Sequence, residues 1–251
     1  MENPLPPALH FPTLSALYDQ ALRAAVAYIL ERYDPLGIIA SGSIIRGNPG
    51  PSSDFDIYVI RADNQRQRVQ KRVAGVPAEI FTNNPAAVRH YFAEERKDGT
   101  PITAHMLATG VVVLKRHPVV DELCSEAVTW LAQRPDLSPA ALTSLRYMTA
   151  DQYDNAKDVQ QIDPATATLL LNQAVSEMVR YAYLAANRNV PRVKEMISTL
   201  ESFNFQLKQM VESYFLATDN GQRFTLAAQI AAQTLGVEGF FEWETEPGVF
   251  P

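Results

Sequence analysis

Gly42-Ser43, ten residues of mostly turn-forming chain, and then Asp54-Phe55-Asp56 form the stretch whose reading decides the fold. Its flanks are apolar: Leu36-Gly37-Ile38-Ile39-Ala40 runs up to it, and Phe55-Asp56-Ile57-Tyr58-Val59-Ile60 continues from Asp54. Both runs have the length and β-branched content of buried strands. Residues i and i+2 of a strand share a face, so Asp54 and Asp56 point the same way. Like charges that close repel, and they persist only with something positive between them. A divalent ion that takes hard oxygen ligands, typically magnesium, suits a pair of carboxylates. Gly42-Ser43, ending the first strand, offers backbone N–H groups and a hydroxyl where phosphate oxygens could sit. A phosphate cradle beside metal carboxylates implies phosphoryl or nucleotidyl transfer.

Working outward, Leu14 to Tyr33 reads as a helix with Leu14, Leu17, Ala21, Ala25 and Ile29 on one face. Pro35-Leu36-Gly37 breaks it and launches the first strand, and the Pro/Gly/Ser-rich segment 48–53 is a loop. The basic run 65–72, Gln-Arg-Gln-Arg-Val-Gln-Lys-Arg, reads as a solvated connection. Val76 to Thr82 is a third strand, helices follow near 85–96 and 102–109, and Val111 to Leu114 is a short strand. After His117-Pro118 the character changes: 119–132, 138–160, 165–187, 191–216 and 222–235 are all helical in periodicity. The expected fold class is α+β. An α/β domain with a small mixed sheet spans 1–118, and an all-α helical bundle spans 119–251. The aromatic stretch Gly239-Phe240-Phe241-Glu242-Trp243 is expected to dock on the helices or on another subunit.

With 47% hydrophobic and 20% charged residues among 251, the composition is that of a folded globular chain rather than a disordered one. No apolar run is long enough to cross a bilayer, so no membrane partner is expected. Met-Glu-Asn-Pro-Leu-Pro-Pro lacks the basic start and apolar stretch of a secretion signal, and a cytoplasmic location is expected. The single cysteine, Cys124, rules out an internal disulfide and a cysteine-based zinc site. Residues 1–118 carry 13 Lys/Arg against 11 Asp/Glu, and residues 119–251 carry 9 against 17. The acidic second half disfavours a nucleic-acid backbone and would suit a cationic small acceptor.

Glu79 stands in the third strand among Val76, Ile80 and Phe81, so its carboxylate needs a polar destination. If that strand lies beside the second, Glu79 joins Asp54 and Asp56 as a third ligand, and three carboxylates can hold two magnesium ions. Ser43 and Arg46 are the candidate triphosphate contacts beside Gly42. His90, His105 and His117 show no spacing that suggests a metal site.

Gly42-Ser43-x10-Asp54-x-Asp56 resembles the signature of the nucleotidyltransferase superfamily related to DNA polymerase β. Within it, the chain resembles small bacterial antibiotic nucleotidyltransferases such as the aminoglycoside adenylyltransferases. Val76-Pro77-Ala78-Glu79-Ile80-Phe81 matches that family's third acidic strand, and residues 103–114 match its closing helix and strand. The resemblance implies transfer of an NMP, with ATP as the NTP, to an acceptor hydroxyl with release of pyrophosphate. It implies a nucleotidyltransferase catalytic domain with Asp54, Asp56 and Glu79 on Mg2+, and Gly42, Ser43 and Arg46 on the nucleotide. It also implies a helical domain supplying a general base and a phosphate-binding lysine across a cleft. Helix 138–160 offers Asp151, Asp154 and Asp158, with Asp154 matching the family's base by position, and Lys194 matches the lysine. The implied acceptor is a small hydroxylated molecule, aminoglycoside-like and cationic, and the implied assembly is a monomer or homodimer. Relatives of toxin–antitoxin type leave a protein or tRNA acceptor as an alternative. A non-catalytic nucleotide-binding module, the third reading, would be expected to have lost a carboxylate.

Overall fold

In the computed structural model, residues 9–245 and Pro247 are described, so the N-terminal heptapeptide read for a secretion signal lies outside the described residues. Cα packing divides the chain into two units. One comprises the residues up to Lys97 with Pro101–Gln133, and the other Asp98–Thr100 with the residues from Arg134 onward.

The first unit is built around five strands: β1 Pro35–Ser41, β2 Phe55–Arg61, β3 Gln67–Val73, β4 Val76–Asn83 and β5 Val111–Lys115. Their order in the sheet is β3-β4-β2-β1-β5, with β2 and β4 parallel and the other pairs antiparallel. The fold is therefore mixed α+β, as expected. Strand period decides which residues meet which helices. Ile38, Ala40, Phe55, Ile57, Val59 and Ile80 point to one face and bury against helix α1, Ala16–Arg32. Ile39, Tyr58 and Ile60 point to the other. That face is covered by α2 Pro85–Lys97, α3 Ile102–Thr109 and α4 Val119–Ala132. Helix α4 presses Val120 onto Gly37 of β1, so it packs within the first unit, whereas a boundary at 118/119 places it in the helical half.

The run 65–72, read as a solvated connection, is instead largely strand β3 at the sheet edge. Its missed signal is the hairpin turn. Ala74 and Gly75 both have positive φ (47° and 85°), and Val73 pairs with Val76 across them. Two consecutive left-handed residues make the turn whose twist suits a two-residue hairpin. Of its side chains Val73 alone is buried, and the strand takes the edge of the sheet.

The second unit is helical: α5 Pro139–Asp158, α6 Pro164–Ala185, the short α7 Met196–Thr199 between 3-10 turns, α8 Phe205–Leu216 and α9 Asn220–Leu235. Proline follows the cap at the starts of α5 and α6, where Ser138 and Asp163 accept from backbone N–H groups. The expected continuous helix over 191–216 is broken. Thr199 donates its hydroxyl to the Glu195 carbonyl and Ser202 to that of Thr199, while Asn204 accepts from Leu207 N and restarts the helix as its cap. Short polar side chains compete with the helix backbone in this way. The core gathers Tyr153, Leu171, Met178, Leu207, Tyr214 and Ile230. Two aromatics of the stretch 239–243 dock on α5, while Phe240 is exposed: Phe241 lies under the Arg146 guanidinium at 4.3 Å, and Trp243 meets Tyr147 at 5.4 Å between centroids.

Candidate functional site

One row of residues crosses the sheet from β1 to β3. Ser41 is the register partner of Asp56, Asp56 of Glu79, and Glu79 of Gln70. Register partners share a face, so four polar side chains stand in line on the face that carries Tyr58 and Phe81 one pleat further on. Asp54 lies two residues before Asp56, at the mouth of β2. Carboxylate oxygens of Asp54, Asp56 and Glu79 all come within 4.8 Å of one another. The structure brings the three predicted metal ligands together.

The donor set fits a hard divalent ion. Oxygens bound to one Mg2+ at about 2.0–2.1 Å stand roughly 3–4 Å apart, so modest side-chain rotation would close the three carboxylates on an ion. The wall beside them also fits a polar occupant. The Ser41 hydroxyl is buried next to Asp56, with no hydrogen-bond partner among the described residues. Gly42 has φ 98°, and a Cβ there would stand 3.0 Å from Asp56 Oδ2 and 3.2 Å from the Asp54 carbonyl. Only glycine adopts that backbone cheaply and leaves the carboxylate its room.

The chain after Gly42 coils on itself. Arg46 N donates to the Gly42 carbonyl (3.1 Å), Gly47 N to Ile44 (3.2 Å) and Asn48 N to Ser43 (3.0 Å). The Gly42-Ser43 end of this turn is the part adjoining the aspartates. The Ser43 hydroxyl is 2.6 Å from that of Ser53, whose oxygen also accepts from Gly50 N (2.8 Å). The two serines thus tie the start of the loop to its end, a role for Ser53 that its sequence context gave no reason to assign. Arg46 is half-buried in the same turn.

Two further residues at the site lie on β3, a strand that its polar sequence conceals. Arg68 Nε and Gln70 Nε2 both donate to Glu79 Oε1, the latter at 3.1 Å. The Glu79 side chain is 11% exposed, and a carboxylate so enclosed needs such donors. In return, the hydrogen bond to Glu79 raises the affinity of the Arg68 guanidinium for its proton, against a smaller desolvation effect.

Asp154 and Lys194 belong to the helical unit. Asp154 is half-buried on α5, ion-paired with Lys157 at 2.6 Å, and the backbone of Gly239 lies directly against its carboxylate. Asp151 is exposed and accepts from Asn155 Nδ2, and Asp158 is exposed at the end of α5. Lys194 is exposed on the 3-10 turn Val193–Glu195 rather than at the start of a long helix. Glu177 on α6 pairs with Arg180 at 3.4 Å. Cys124 is partly buried, and burial pushes its thiol up.

No family model matches the chain, and no curated protein matches it. Among solved structures, it is similar to a nucleotidyltransferase-like protein from Exiguobacterium sibiricum 255-15, with a TM-score of 0.51 and 13% identity over 86% of this chain and 74% of that one. At that identity the likeness is one of fold. No helix among the described residues is long and apolar enough to cross a membrane.

Proposed function

We propose that this chain is a magnesium-dependent nucleotidyltransferase. It would move an NMP, AMP in the first instance, from an NTP to a hydroxyl of a small molecule and release pyrophosphate. The observation that carries the reading is the convergence of Asp54, Asp56 and Glu79 oxygens within 4.8 Å beside a left-handed Gly42. The fold likeness to a nucleotidyltransferase-like protein supports it.

Asp54, Asp56 and Glu79 would hold the divalent ion, which when bound supplies neutralising charge to the triphosphate oxygens. The turn at Gly42-Ser43 would meet a phosphate with N–H groups, and Arg46 would add a guanidinium. Lys194 would contribute a second cation from the helical unit. Asp154 would take the proton of the acceptor hydroxyl as its oxygen bonds to the α-phosphorus and the bond to pyrophosphate breaks. For that, Asp154 must exchange Lys157 for the acceptor. The acidic helical half suits a cationic, aminoglycoside-like acceptor, and antibiotic modification in the cytoplasm belongs to the same reading.

One observation favours a second acceptor class. Arg66 and Arg72 are exposed side chains on or beside edge strand β3, next to the acidic row. A cationic edge there would suit a polyanion such as a tRNA end.

The test is pyrophosphate release with each NTP and Mg2+, across aminoglycosides, other hydroxylated antibiotics and tRNA, with Asp54→Ala/Asp56→Ala as control. Release that depends on an acceptor and vanishes in the double variant supports the proposal and names the acceptor class. Absence of NTP binding under any condition contradicts it.

A further inference from the structure

We infer that Arg68 is the internal counter-ion of the acidic row: its guanidinium holds Glu79 in the metal-free protein and yields that carboxylate when a divalent ion binds. The inference rests on the metal reading proposed above and concerns a residue that reading does not use.

Three observations carry it. The first is crowding: three carboxylates with oxygens within 4.8 Å cannot stand uncompensated, and Arg68 supplies a positive group bonded to one of them. The second is an asymmetry of burial. The Arg68 side chain is 62% exposed and that of Glu79 11% exposed. A guanidinium that is mostly hydrated can leave at little cost, whereas the enclosed carboxylate must exchange one cation for another. The third is placement. Arg68 is the register partner of Phe81, and its guanidinium rests 5.2 Å from that ring's centroid. That aromatic shelf holds the charge next to Glu79 without enclosing it, while Gln70, the true register partner of Glu79, donates to the same Oε1. When the ion takes Glu79, Gln70 can keep its bond, because a neutral amide does not oppose a cation.

An ion must therefore compete with Arg68 for Glu79. Removing the guanidinium should strengthen divalent-ion binding and weaken the metal-free fold, so that the ion stabilises the variant more than it stabilises the parent. The experiment is calorimetric titration of the full chain with Mn2+, paired with thermal unfolding with and without Mn2+. It compares the parent, Arg68→Gln, Glu79→Gln, the combination of the two, and Asp54→Ala/Asp56→Ala.

Loss of one half-screened charge about 5 Å away predicts roughly tenfold tighter Mn2+ binding in Arg68→Gln. The gain should disappear when Glu79→Gln is also present, because the exchange takes place at Glu79. Arg68→Lys, which keeps the charge but not the guanidinium fork, should fall between the two and serves if Arg68→Gln does not fold. Unchanged or weaker Mn2+ binding in Arg68→Gln or Arg68→Lys, with binding still lost in Asp54→Ala/Asp56→Ala, overturns this inference and leaves the metal reading standing. Absence of Mn2+ binding in the parent and in every variant overturns both.

Discussion

Asp56 on β2 and Glu79 on β4 are register partners across a parallel pair, flanked by Phe55 opposite Ala78 and Ile57 opposite Ile80. The apolar neighbours fix the register, because a slip of one residue would turn one strand's isoleucine out of the layer packed on α1 and its carboxylate into that layer. The packing that makes the sheet stable thus forces two like charges onto one line. That cost is borne where a cation can repay it.

Asp56→Asn separates those two effects. Like charges directly opposite across a strand pair cost about 0.2–1 kcal/mol, so the variant should match or exceed the parent's metal-free stability by that amount. Divalent ions should raise the melting temperature of the parent and leave the variant's unchanged. Paired thermal melts with and without Mg2+ read both effects. A metal-free melting temperature well below the parent's would mean that Asp56 has a structural role instead.

Gly42→Ala should be costly in two ways. A residue with a Cβ at φ 98° costs about 1–3 kcal/mol, and the added carbon would stand 3.0 Å from Asp56 Oδ2. Urea unfolding should show a lower midpoint, and Mn2+ titration should show weaker binding even under conditions where the variant is fully folded.

The β3–β4 hairpin should be improvable at its turn. Ala74 sits at φ 47°, a conformation that costs an ordinary L-residue roughly 1–2 kcal/mol, while Asn tolerates it. Ala74→Asn creates the favoured Asn-Gly turn and should stabilise the first unit by about 0.5–1 kcal/mol. A raised denaturation midpoint checks it. No change or a fall would mean the turn is not the two-residue type described.

Much of this was legible in the sequence, and the misses share a physical cause. Asp54, Asp56 and Glu79 stood out because charges interrupt apolar strands, where each needs a partner. The α+β class followed from the switch between strand runs and helical periodicity. Strand β3 was missed because Arg66 to Arg72 is mostly polar, as an exposed edge can be, and Ala74-Gly75 is a weaker turn signal than Asn-Gly. With β3 went Arg68 and Gln70. Helix α4 lies beyond the expected boundary at Pro118 yet packs with the first unit, since periodicity says where a helix lies along the chain and not what it packs on. The break at Asn204 depends on side-chain bonds that helical periodicity does not register.

Glu95 provides a pH signature of the first unit. Its carboxylate accepts from Thr103 N at 2.7 Å and Thr103 Oγ1 at 2.6 Å, capping α3. Burial pushes its protonation above the ordinary 4.5, outweighing the opposing hydrogen bonds from Thr103. The folded state therefore holds this proton more tightly than the unfolded chain. The stability it contributes is full below 4.5 and is lost as pH rises through the raised folded value. Glu95→Gln removes the titration, so its stability relative to the parent should rise as pH increases across that window. Urea midpoints at a series of pH values would show it, and a constant difference would contradict the assignment.

The central claim is that Asp54, Asp56 and Glu79 form a metal centre for nucleotide chemistry. Its most direct test is an anomalous difference map from crystals grown with Mn2+ and a non-hydrolysable ATP analogue. The expected result is Mn2+ density bonded to oxygens of Asp54, Asp56 and Glu79, with the analogue's phosphates on the same ion and against Gly42-Ser43. Bound analogue with no Mn2+ peak at these carboxylates, or with its phosphates elsewhere, would contradict the claim.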